Sequence, residues 1–200
     1  FISEGGDEAV NKTIADRLTA SEEVIEVTLT ENVEIDGRFT FGGADTKSIT
    51  INGTALTRAG ERPVITLTNG YNYYFRAVNP NAKLYLNDVE IVVVDDKKNT
   101  WDVDDLLIAL DVEANNVKFN SAVALDGNKV AKFDGCSFNE TRDHYALWIC
   151  AEKNKSVTIA NSTFESAGRA IKVADEYVGD VTKVSINVSG TSFKSVSKAA

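Results

Sequence analysis

A short unit recurs along this chain: an apolar residue, any residue, a second apolar residue, then Asn or Asp. It reads Ile49-Thr50-Ile51-Asn52, Leu84-Tyr85-Leu86-Asn87, Val117-Lys118-Phe119-Asn120 and Val184-Ser185-Ile186-Asn187, with looser copies at Ala131-Lys132-Phe133-Asp134 and Val157-Thr158-Ile159-Ala160. In three copies another apolar residue follows after a small-residue turn: Leu86 to Ile91, Phe133 to Phe138 and Ile159 to Phe164. Each copy therefore reads as strand, tight corner, strand. Phe75-Arg76-Ala77-Val78, Ala146-Leu147-Trp148-Ile149 and Ala170-Ile171-Lys172-Val173 supply a further strand in several copies. The steps from Phe133 to Ile159 to Ile186 are nearly equal, whereas Phe119 to Phe133 is too short for a full coil. Those two residues therefore belong to different sides of one turn.

Such a unit has to stack. A coil of three short strands cannot bury its inner side chains alone, but stacked coils pair their backbones into parallel sheets and align like residues in ladders. Asn suits the corners because it tolerates the left-handed conformation and can bond its neighbours along the stack. An open end presents unpaired strand edges and needs a cap. Residues 7–18 offer one, with Asp7 at the N-cap position and Val10, Ile14 and Leu18 on one helical stripe. The expected fold is an all-β solenoid in a single domain, with the cap over residues 1–22 and coils over residues 23–200. Ile51, Leu86, Phe119, Ile159 and Ile186 are expected to be buried, most of them in one ladder. The stretch 104–110 reads as strand or irregular loop. A β-sandwich or jelly roll is the alternative, since it also has many short strands, but it does not need corner residues in register.

The N-terminal helix, the Ser48-Ile49-Thr50-Ile51-Asn52-Gly53 strand and corner, and the repeats between Leu84 and Phe193 together resemble the right-handed parallel β-helix superfamily, often called pectate-lyase-like. The resemblance covers nearly the whole chain and lies at the level of fold, without one diagnostic motif. It implies a right-handed parallel β-helix. Active members of that superfamily are mostly polysaccharide lyases and glycoside hydrolases. The lyases are similar to one another in holding Ca²⁺ on acidic residues and removing a proton with Arg or Lys; the hydrolases use paired aspartates.

Composition narrows the partners. The formal net charge of −9 disfavours nucleic acid, which needs clustered Lys and Arg. No apolar run is long enough to span a bilayer. The chain opens on Phe1-Ile2-Ser3 and contains no Met. It reads as a processed protein or a piece of a longer one, with any export signal already removed. Cys136 and Cys150 are the only cysteines; a bridge and two buried thiols are both open.

Three groups of residues carry chemistry. Arg142, Asp143, His144 and Tyr145 lead into a core strand and include the only His, the side chain best poised for proton transfer near neutral pH. Arg169, Lys172 and Asp175 follow one coil later and can lie beside them. Asp95, Asp96, Asp102, Asp104, Asp105 and Asp111 offer oxygen ligands for Ca²⁺, although the glycine and terminal Glu of an EF-hand loop are missing. Tyr73, Trp101 and Tyr145 are the aromatic candidates for stacking on a sugar. The lyase arginine motif and a paired-Asp hydrolase motif are not found. The expected function is therefore a secreted or cell-surface module that binds glycan or another macromolecule, or serves as a rigid structural or adhesin unit. No cofactor is expected, and Ca²⁺ at the acidic stretch is left open. The rival is a polysaccharide-active enzyme with Arg142, Asp143, His144, Arg169 and Lys172 as its machinery.

Overall fold

The computed structural model describes residues 8–36, 38–55, 61–68, 73–94, 105–141, 144–150, 155–174 and 184–196. Helix α1 (Glu8–Leu18) precedes the strands. The first coil holds β1 (Val24–Leu29), β2 (Val33–Asp36) and β3 (Arg38–Phe41), and the second β4 (Ser48–Gly53), β5 (Val64–Thr68) and β6 (Tyr73–Ala77). The third holds β7 (Lys83–Asn87), β8 (Glu90–Val93) and β9 (Asp105–Ile108); the fourth β10 (Asp111–Asn115), β11 (Lys118–Asn120) and β12 (Ala122–Leu125). The fifth holds β13 (Val130–Asp134), β14 (Ser137–Glu140) and β15 (Tyr145–Cys150); the sixth β16 (Lys155–Ala160), β17 (Thr163–Ser166) and β18 (Arg169–Ala174). The last described pair is β19 (Val184–Ser189) and β20 (Ser192–Ser195).

Every third strand pairs in parallel with the next. The first sheet runs β1-β4-β7-β10-β13-β16-β19, the second β2-β5-β8-β11-β14-β17-β20 and the third β3-β6-β9-β12-β15-β18. The chain is a parallel β-helix. The stretch 104–110 contributes strand β9. Period-two alternation sends one face of each strand inward. In the first sheet Val27, Ile51, Leu86, Ala114, Phe133 and Ile159 stand in register and are buried. In the second, Ile65, Ile91, Phe119, Phe138 and Phe164 do the same. Full burial of each Val, Leu, Ile or Phe contributes about 1.5–3 kcal/mol, and of Ala114 less.

Phe119 and Phe133 lie on different sides, as their spacing requires: Phe119 is buried in the second sheet and Phe133 in the first. Two readings are corrected. The first-sheet copy of the repeat in this coil is Val112-Glu113-Ala114-Asn115 on β10, not residues 117–120. Ile186 is half-buried and pairs with Val157, while Val188 pairs with Ile159. Ile51, Leu86 and Ile159 share one ladder; Phe119 and Ile186 do not.

The corner between the first and second sheets is the most regular. Asn87 Nδ2 donates to Asn52 Oδ1 at 2.8 Å, and Asn115 Nδ2 to Asn87 Oδ1 at 2.9 Å. The next residue in successive coils takes a left-handed conformation: φ is 55° at Asp88, 54° at Asn116, 62° at Gly135, 49° at Asn161 and 57° at Gly190. Asn, Asp and Gly tolerate that region best. Gly53 is there for space, because a Cβ would sit 2.0 Å from the Asp88 carbonyl oxygen.

Helix α1 packs against β1 and β2 at the start of the stack. Leu18 is 1% exposed, and Val10 and Ile14 pack against the core as their spacing requires. Asn11 Oδ1 accepts the Glu34 backbone N–H at 2.9 Å, and the Leu18 carbonyl accepts that of Gly42 at 3.0 Å. Asp7 lies outside the described residues. At the other end Val188 is 40% and Phe193 53% exposed.

Candidate functional site

The third sheet brings part of the sequence cluster together. β15 and β18 pair with Tyr145 beside Arg169 and Trp148 beside Lys172. The Arg169 N–H donates to the His144 carbonyl at 2.5 Å. At Gly168 a Cβ would meet that carbonyl oxygen at 2.0 Å, so the two coils approach as only glycine allows.

Aromatic rings fill the space between these residues. His144 and Tyr145 have ring centroids 3.7 Å apart, and Tyr145 and Trp148 5.5 Å. The Lys172 ammonium stands 4.3 Å from the Trp148 centroid and 5.4 Å from that of Tyr145. Such cation–π contacts are worth about 0.5–2 kcal/mol. Trp148 Nε1 donates to the Ala174 carbonyl at 3.2 Å and fixes the indole. Tyr145 is buried, at 2% exposure. Trp148, Lys172 and His144 are half-buried and Arg169 is exposed. The cluster thus presents a half-buried indole beside several nitrogen groups.

Arg142, Asp143, Trp101, Asp102, Asp104, Asp95, Asp96 and Asp175 are outside the described residues. Tyr73 opens β6, with its backbone in register with Leu106, and Asp105 opens β9, in register with Ala122. β9 and β15 flank β12, so at the usual strand spacing the Asp105 backbone is about 10 Å from the cluster strand. Asp111 Oδ1 accepts the N–H groups of Lys129 and Val130 at 2.7 and 2.9 Å and so holds a corner. Among the described residues no group of three His, Cys, Asp or Glu side chains is placed to hold a metal ion.

Cys136 and Cys150 are thiols, not a disulfide. Cys136 is packed under the corner, with Sγ 3.4 Å from the Ala114 carbonyl, and burial pushes its pKa up to about 11.

The pairing of Lys172 with Trp148 is not visible in the sequence. The two residues occupy the same strand position in consecutive coils, and their alignment depends on the register between them.

No protein-family model matches the chain, and no curated protein and no solved structure matches it either.

Proposed function

We propose that this protein is a non-catalytic β-helical module of the cell exterior that binds glycan through the outer edge of its third sheet. One observation carries the reading: the Lys172 ammonium stands 4.3 Å over the Trp148 ring. A lyase base has to point at its substrate's acidic proton, and this ammonium is directed onto an indole instead. Trp148 and Lys172 form a joint aromatic and cationic surface, with exposed Arg169 and half-buried His144 beside it. An aromatic ring can pack on the apolar face of a sugar while nitrogen donors meet its hydroxyl or carboxylate groups. The stacked sheets hold these groups rigidly, which reduces the ordering cost of binding. The likeness to pectate-lyase-like proteins supports polysaccharide as the ligand class, Ca²⁺ at the acidic stretch as an accessory, and a secreted or surface location.

The test is titration of the chain with acidic oligosaccharides, with and without Ca²⁺, while absorbance of unsaturated uronide is followed. The expected result is saturable binding without cleavage, weakened about tenfold by Trp148→Ala or Lys172→Ala, a loss of about 1.4 kcal/mol. New uronide absorbance that disappears in Lys172→Ala or Arg169→Ala would transfer the function to the lyase reading.

A further inference from the structure

A second surface lies on the outer face of the first sheet. Across β7, β10 and β13, Tyr85 stands in register with Glu113 and Glu113 with Lys132, while Lys83 stands beside Asp111. The flanking side chains are long and the two central carboxylates are shorter. The surface therefore dips over β10 into a shallow groove lined by Lys83, Tyr85, Asp111, Glu113, Val130 and Lys132.

The walls of this groove are held in place. The two backbone N–H bonds to Asp111 Oδ1 fix one side, and Lys132 Nζ lies 3.4 Å from Glu113 Oε2 on the other. Among the described residues no partner engages the Lys83 ammonium or the Tyr85 hydroxyl. A half-buried aromatic ring thus sits among donors and acceptors that still have bonding capacity.

We propose that this groove binds a neutral oligosaccharide. Each sugar hydroxyl can donate and accept at once, so vicinal hydroxyls use a cation and a carboxylate together. Tyr85 supplies a ring for the apolar face of a pyranose. The balance of charge selects against other ligands. Lys83 and Lys132 offset Asp111 and Glu113 within the groove, while the whole chain carries −9. An anion gains no net local attraction and meets a repelling background; a cation meets two lysines. The groove crosses three strands, about 10 Å at the usual strand spacing, so the ligand runs along the stack and touches Lys83 or Tyr85 at one end and Lys132 at the other.

This site is independent of the third-sheet patch and is tested separately. The chain is titrated calorimetrically with cellohexaose, laminarihexaose and mannohexaose. At least one is expected to bind saturably. Tyr85→Ala and Lys83→Ala should each weaken that binding about tenfold without changing the melting temperature, and Trp148→Ala should leave it unaltered. Absence of heat with all three sugars at millimolar concentration overturns the proposal. So does binding that is indifferent to Tyr85→Ala, or that is lost in Trp148→Ala. None of these outcomes bears on acidic oligosaccharides at the third sheet, where Trp148 is the diagnostic residue.

Discussion

The rings of Phe138 and Phe164 lie 4.5 Å apart and 5° from parallel. The two residues are in register on β14 and β17, and the stack continues to Phe119 on one side and Phe193 on the other, each at 5.1 Å. Phe138 is therefore covered on both faces, whereas Phe193 is 53% exposed. Phe138→Ala should cost about 3–5 kcal/mol and Phe193→Ala clearly less. Urea unfolding of the two variants checks the ranking; equal losses would show that the stack does not end as described.

The corrected register makes a similar contrast in the first sheet. Ile159 is fully buried and Ile186 half-buried in the last described coil. Ile159→Ala should cost about 2–5 kcal/mol, including its cavity. Ile186→Ala should cost less, because its neighbourhood is already partly open. Denaturation midpoints of both variants report the difference.

At the Asn corner, side chain and backbone effects can be separated. Asn116 has φ of 54°, donates to Asp88 Oδ1 at 2.5 Å and accepts from Arg62 Nη2 at 3.0 Å. Asn116→Ala loses both bonds, at about 1 kcal/mol each, and puts in the left-handed region a residue that tolerates it less well than Asn. Asn116→Gly loses the bonds alone. Thermal unfolding should place Gly above Ala; the reverse order would mean that the corner adopts another conformation.

Removing residues 1–20 should uncover Ile25 on β1 and the buried side of β2 at the end of the stack, since α1 packs on β1 and β2 and Leu18 is 1% exposed. The truncated chain is expected to melt lower and to aggregate through the uncovered edges. Light scattering during a melt measures both. A monomer with an unchanged melting temperature would remove α1 from the role of cap.

Cys136 gives a pH dependence with a defined sign. Burial raises its pKa from 9.0 to about 11. The unfolded chain therefore ionises first, and the stability tied to the neutral thiol is complete below about pH 9 and declines as pH rises toward about 11. The size is on the order of 2–3 kcal/mol. Stability measured across that window should fall more steeply for the wild type than for Cys136→Ala. Parallel curves would show that Cys136 is not the source.

Local chemistry is legible in the residues themselves. Alternation along each strand is a period of two, corner residues are chosen by backbone conformation, and the α1 stripe repeats at helical spacing; each needs neighbours only a few residues away. The β10 copy is hidden because Ala114 contributes a small side chain where the other copies place a large one. Phe119, five residues on, takes its place in the pattern while belonging to the next side.

What the sequence determined by itself is therefore the kind of fold: short strands, Asn and Gly corners, a helical lid, and enough inward side chains to demand stacking. Tertiary structure decided which residues become neighbours. A shift of two along β19 keeps the same side chains inward, so Ile186 and Val188 are equivalent locally. The corner at Gly190, aligned with Asn161 and Gly135, and the stacking of Phe193 on Phe164 select Val188 as the partner of Ile159. The same inter-coil register sets Lys172 over Trp148 and gathers Lys83, Tyr85 and Glu113 into one groove. Such contacts join residues far apart in the chain, and only the packing of one coil on the next defines them.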